Sequence, residues 1–164
     1  TGDFMIQYSD KLIYPHIYIA YATRYGRQGT KAVEMAKLFK RALPEFHKLL
    51  DLPKDVNIRI AGIKSPKIFG RYYDTEKVAE IDPRKSDKHS GLATLAHELV
   101  HAEQYYTGRL QKTYVRGRGW ESLWNGEVGP RGATYKSYRN SPWEVEAFDR
   151  MEPLALQVAV KLGL

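Results

Sequence analysis

No cysteine occurs among the 164 residues, so the chain has neither a disulfide framework nor a thiolate with which to hold a metal. Any ion it binds must be gripped by nitrogen and oxygen. No apolar run reaches the ~20 residues of a membrane-spanning helix, and the first residues, Thr1 to Tyr8, lack the basic-then-apolar order of a signal peptide. Internal repeats and low-complexity tracts are also missing. These absences argue against a secreted disulfide scaffold, an integral membrane protein and a solenoid, and they allow a reducing, cytoplasmic setting. A hydrophobic content of 43% is enough for one core, and the length is too short for two ordinary domains, so a single domain over 1–164 is expected.

Against that background, residues 97–101 read H-E-x-x-H, from His97 and Glu98 to His101. Two side chains four residues apart on a helix stand only about 40° apart around the axis, one turn above the other, so both imidazoles can reach one ion. The context is helical. Leu92, Leu95, Leu99, Ala102 and Tyr106 recur at steps of three and four and predict a buried stripe. Thr94, His97, Glu98, His101 and Gln104 or Tyr105 form a polar stripe roughly opposite. Asp87 or Ser90 is available as the N-cap, and Gly108 is placed to stop the helix after Thr107. Glu98, beside His97, is poorly placed to ligate the same ion. It is well placed to take a proton from water activated there, which is the position of a general base.

Two histidines leave a tetrahedral Zn²⁺ short of a protein ligand, because a catalytic site normally has three plus water. From Ser141 the chain predicts a second helix, with Ser141 as a cap and Pro142 at its first position, and this helix offers Glu144 and Glu146. Two residues apart on a helix, they point in very different directions, so at most one ligates. Glu144 could instead close a capping box with Ser141, and Glu146 could be a solvated acid. Ala147 lies on the same face as Glu144 and would let this helix pack closely on the metal helix, which favours Glu144 over Glu146.

With His97, Glu98, His101 and the Glu144 to Ala147 step on the page, the chain resembles a gluzincin. These zinc metallopeptidases take two histidines from H-E-x-x-H and a glutamate from a later E-x-x-A helix. In many of them an acid or amide directly follows the alanine, whereas here Phe148 stands there and Asp149 comes one later. The run from His97 to Tyr105, then Gly108, the Trp124 to Gly126 step, Tyr138 and Pro142 to Ala147 is also similar to small metallopeptidase-like proteins encoded by tailed bacteriophages. That similarity covers about residues 70–150. It implies a zincin-like core, with a small sheet before the H-E-x-x-H helix and a C-terminal helix bearing the third ligand. It implies no particular substrate; the gluzincin resemblance implies Zn²⁺ as cofactor and a protein or peptide substrate, and a phage origin would imply a host-cytoplasm or virion location.

Elsewhere, Ile13 to Tyr25 is tyrosine-rich and predicts extended chain. Thr30 to Leu50 carries Val33, Ala36, Phe39, Leu43, Phe46 and Leu50 at helical spacing, with Pro44 predicting a kink or break. Val56, Ile58 and Ile60 alternate as a half-buried strand. Gly70 to Tyr73 and Val78 to Ile81 predict a hairpin ended by Asp82 and Pro83. The overall class is α+β, and Tyr72 to Ile81 is the candidate substrate-facing sheet edge. The helix from Ser141 should run to the C-terminus, interrupted at Pro153.

The segment from Arg109 to Arg139 concentrates charge. Arg109, Lys112, Arg116, Arg118, Arg131, Lys136 and Arg139 oppose only Glu121 and Glu127, a surplus of five within a whole-chain charge of +7. Tyr114, Trp120, Trp124, Tyr135 and Tyr138 are interleaved, and five glycines predict irregular backbone. Such an insertion could track phosphates and stack bases, which gives the alternative reading of a nucleic-acid-associated binding protein or a DNA-recruited protease of SprT-like type. It could also be a basic lid that selects acidic peptides, or a solvated loop. Tyr135 or Tyr138 could supply a phenol that stabilises an oxyanion. His16, His47 and His89 lie outside the motif and carry no spacing argument.

Overall fold

The computed structural model describes residues 10–20, 29–131 and 134–164. It is a mixed α+β structure with two sheets and four helices among those residues. Strands β1 (Asp10–Tyr14) and β2 (Ile17–Ala20) form an antiparallel pair, and helix α1 (Thr30–Leu49) crosses to β3 (Asn57–Ile60), which lies parallel to β2. Strands β4 (Gly70–Tyr73) and β5 (Val78–Ile81) make the expected hairpin, with β5 inserted beside β3, giving the order β1-β2-β3-β5-β4. The extended reading of Ile13 to Tyr25 holds through Ala20; residues 21–25 lie outside the described part.

Alternation decides which face of this sheet is dry. Ile17, Ile19, Ile58, Ile60, Ala79 and Ile81 point into the core, and fully burying each large aliphatic side chain stabilises by about 1.5–3 kcal/mol. The opposite face carries a polar network in which Arg59 joins Asp10 and Glu80, and Arg71 also reaches Glu80. Because β5 lies between β3 and β4, all four of its residues are buried. Within the hairpin only β4 lies at a sheet edge, so the candidate substrate-facing edge narrows from Tyr72–Ile81 to the Gly70–Tyr73 strand.

Helix α2 (Lys88–Tyr106) opens on Asp87, whose side chain accepts from the Ser90 backbone in a capping box, and its backbone turns left-handed at Gly108. Its burial differs from the two-stripe expectation. Every residue from Gly91 to Gln104 except Thr94 and Glu103 is buried, because α1, the β4–β5 hairpin and α4 (Pro142–Lys161) surround it. Tyr106, expected in the apolar stripe, is 58% exposed. Closest packing is between α2 and α4, across the buried Ala147.

Neither proline breaks its helix. Pro44 sits inside an unbroken α1 and Pro153 inside an unbroken α4, and both are solvent-exposed. Each leaves one carbonyl on the wet side of its helix, where water can satisfy it. The segment after Gly108 is a second correction. It is not irregular but a three-stranded antiparallel meander of β6 (Leu110–Val115), β7 (Gly119–Trp124) and β8 (Glu127–Val128), followed by a short helix α3 (Tyr135–Arg139). No described helix is long and apolar enough to cross a membrane.

Candidate metal centre

Three donors converge where α2 crosses α4. His97 and His101 project from successive turns of α2, and Glu144 meets them from the first turn of α4. His97 Nε2 lies 3.0 Å from Glu144 Oε1, and His101 Nε2 lies 2.9 Å from Glu144 Oε2. Ligand atoms of all three lie within 4.8 Å of one another, and all three residues are buried. Glu144 therefore closes no capping box with Ser141. Ser141 occupies the N-cap position by its backbone, and its hydroxyl donates to the Ser137 carbonyl. Glu146 points elsewhere: it accepts two hydrogen bonds from Arg109, at 2.7 and 2.9 Å, and one from Gln104.

Gln104 is the residue that sequence reasoning left without a role. It is fully buried, and its Oε1 lies 2.8 Å from His101 Nδ1. Its spacing of three from His101, which makes the two neighbours on one helix face, was the available signal. The Gln104 amide nitrogen donates to the Trp143 carbonyl and to Glu146, so its oxygen must be the atom facing His101, and Nδ1 of His101 must be a donor. That leaves Nε2 of a neutral His101 as a bare lone pair, buried, without a hydrogen-bond partner, aimed at a carboxylate oxygen.

Two electron-pair donors at such separation require a cation between them, either a proton or a metal ion. The proton form is visible in the electrostatics. Burial alone would lower His101, but Glu144 and Glu98 hold it up at about 9, whereas burial would raise Glu144 and the two histidines pull it down to about 2. A divalent ion supplies the same compensation with more charge. The donor set of two imidazoles and a carboxylate suits such an ion, so the residues fit a bound metal.

Glu98 is buried beside the cluster, and burial, helped by Glu144, pushes its carboxyl up although His97 and His101 partly offset this. It opens onto a cleft of about 710 Å³ lined by Gly70, Tyr72, Tyr105, Trp120, Tyr138 and Trp143 among others. The sheet edge β4 thus forms one wall, and the meander forms the other. Of the two tyrosines, Tyr138 lines this cleft, and burial together with the nearby charges of Glu144 and Glu98 raises its phenol. Tyr135 is not part of the lining, and Lys67 sits 5.2 Å from its ring centre.

Phe148, in the place where many gluzincins have an acid or amide, packs edge-on to His97 with ring centres 4.5 Å apart, and Arg139 covers it 3.5 Å from the ring centre. Asp149 is exposed. Four of the seven cations in the basic segment are paired: Arg109 with Glu146, Lys112 with Asp74, and Arg118 and Arg131 with the buried Glu121. His16, His47 and His89 take no part in the cluster. Comparison with known proteins finds no matching family model, no matching curated protein and no matching solved structure.

Proposed function

We propose that the chain is a zinc-dependent peptidase with a zincin-like core of gluzincin type, acting on extended polypeptide in the cleft between β4 and the meander. The observation that carries this reading is the convergence of His97, His101 and Glu144 with Glu98 alongside, open to a cleft bordered by a sheet edge. Zinc suits the donors. A tetrahedral ion bonded at about 2.0–2.1 Å sets its ligand atoms roughly 3.3 Å apart, close to the separations found between each imidazole and the carboxylate, and no thiolate competes.

When bound, the ion supplies Lewis acidity, lowering the pKa of water and polarising a carbonyl. His97, His101 and Glu144 would hold it. Glu98, raised by its burial, takes the proton of the attacking water and returns it to the leaving amine. Tyr138 stands at the cleft wall, where its hydroxyl can donate to the oxygen on which negative charge develops. The edge of β4 offers backbone N–H and C=O groups to an added strand. Of the seven cations that suggested the nucleic-acid reading, Arg109, Lys112, Arg118 and Arg131 pair with acids of the same chain, which favours the peptidase reading over it.

Protein purified without a polyhistidine tag should contain zinc, and Glu98→Gln should keep the metal while losing hydrolysis of an unfolded protein or peptide pool by about 10²–10⁴-fold. A wild type that takes up no metal, or a Glu98→Gln variant as active as wild type, would overturn the proposal. So would nucleic-acid binding with a steep salt dependence and no hydrolysis of any polypeptide.

A further inference from the structure

We infer that Gln104 is a positioning residue that fixes His101 in the Nδ1–H form, so that Nε2 is held as a lone pair aimed at the metal position. The inference follows from the donor and acceptor inventory around one amide. Gln104 Nε2 lies 3.0 Å from the Trp143 carbonyl and 3.1 Å from Glu146 Oε1, both of which can only accept. A flipped amide would set its oxygen against both, so Oε1 faces His101 Nδ1 at 2.8 Å, and the ring must donate there.

The amide is itself anchored. Arg109 grips both oxygens of Glu146, and Arg150 bridges Glu146 and Glu103, so Glu146 cannot swing away from Gln104. The acid rejected as a ligand is thereby the post that orients the residue behind a ligand. A neutral amide also leaves the shared proton on the imidazole, where a carboxylate would draw it off and add charge next to the ion. Phe148 packs edge-on to the His97 ring, which restricts its orientation without setting its protonation form. The consequence for metal affinity rests on the reading of the site as a zinc centre; the ring form of His101 does not.

The test separates the two. Long-range proton–nitrogen NMR spectra of histidine-labelled, chelator-treated protein, at a pH well above the titration of His101, should show the Nδ1–H form in wild type. In Gln104→Met they should show a shift towards Nε2–H. Zinc competition against a chromophoric chelator should show about 10–100-fold weaker binding for Gln104→Met. A packing role alone would lower the unfolding midpoint and leave the ring form unmoved, and that result overturns the inference. An Nε2–H ring in wild type overturns it too, and decides the matter even if Gln104→Met does not fold. Wild type that binds no zinc but shows Nδ1–H would sink the peptidase reading and leave the role of Gln104 standing.

Discussion

Glu144 and Glu146 are separated by one residue, which on a helix turns the second about 200° away from the first. Glu144 consequently faces two imidazoles, and Glu146 faces Arg109, Arg150 and Gln104. Removing each should therefore have different results. Glu144→Ala is expected to lose stoichiometric metal, and Glu146→Ala to retain it at saturating zinc, as measured by atomic emission on dialysed protein. Equal loss in both would count against the assignment. A second residue-scale expectation concerns Gly129, where an added Cβ would stand 2.5 Å from the Trp143 ring. Gly129→Ala must displace Trp143, whose carbonyl receives the Gln104 amide, and overpacking of this kind costs about 1–3 kcal/mol. A urea titration of Gly129→Ala against wild type reads that loss directly.

At the scale of elements, the prolines show where local rules yield to exposure. Pro44 removes one hydrogen bond from α1 on its wet side, while Ala36, Phe39, Leu43 and Phe46 continue the buried stripe through it. Pro44→Ala should raise the urea midpoint, by up to about 3 kcal/mol in unfolding free energy, without altering metal content. A drop would mean that the proline is compensated by something beyond solvation of the freed carbonyl.

The motif helix, its start at Asp87 or Ser90 and its Gly108 end were readable from sequence, and the structure places the cap at Asp87 with Ser90 closing the capping box. So was the hairpin of β4 and β5. The meander was hidden by its composition: glycines and arginines read as loop, although Asn125-Gly126 between Trp124 and Glu127 is a strong hairpin signal. Both residues have the positive φ of a type I′ turn, 52° and 85°. The spacing of Gln104 from His101 was legible, but the orientation of its amide was not, since its two acceptors come from α4, whose placement depends on long-range packing rather than on any local pattern. For the same reason sequence alone favoured Glu144 as the ligand without excluding Glu146.

Across the whole molecule, the candidate centre joins two helices that are distant in sequence. Binding only to the folded form stabilises it by mass action, about 2.7 kcal/mol when free zinc is one hundred times its dissociation constant. Thermal unfolding should therefore shift upward with added zinc and downward with chelator. His97→Ala should show neither shift.

Acid should act at a different place. Burial would raise Asp82, but hydrogen bonds from Arg84 and from the backbone of Ile63 and Arg84 bring it down to about 2. A carboxyl lowered on folding stabilises above its unfolded pKa, near 3.9, and that stability is lost as pH falls towards 2. Since its partner Arg84 is largely exposed and screened, the loss should be on the order of 1 kcal/mol. Asp82→Asn should flatten this part of the urea-midpoint profile against pH; an unchanged profile would count against the assignment.

The near-complete enclosure of α2 has a bearing on how this sequence can change. Almost every position between Gly91 and Gln104 answers to a neighbour, so substitutions that survive should accumulate at exposed positions of the meander, where Tyr114 on β6 and Trp120 on β7 stand largely in solvent. Under the proposed function, a library that varies the exposed Trp120 at the cleft and leaves the central helix untouched is the one expected to change selectivity without unfolding the protein.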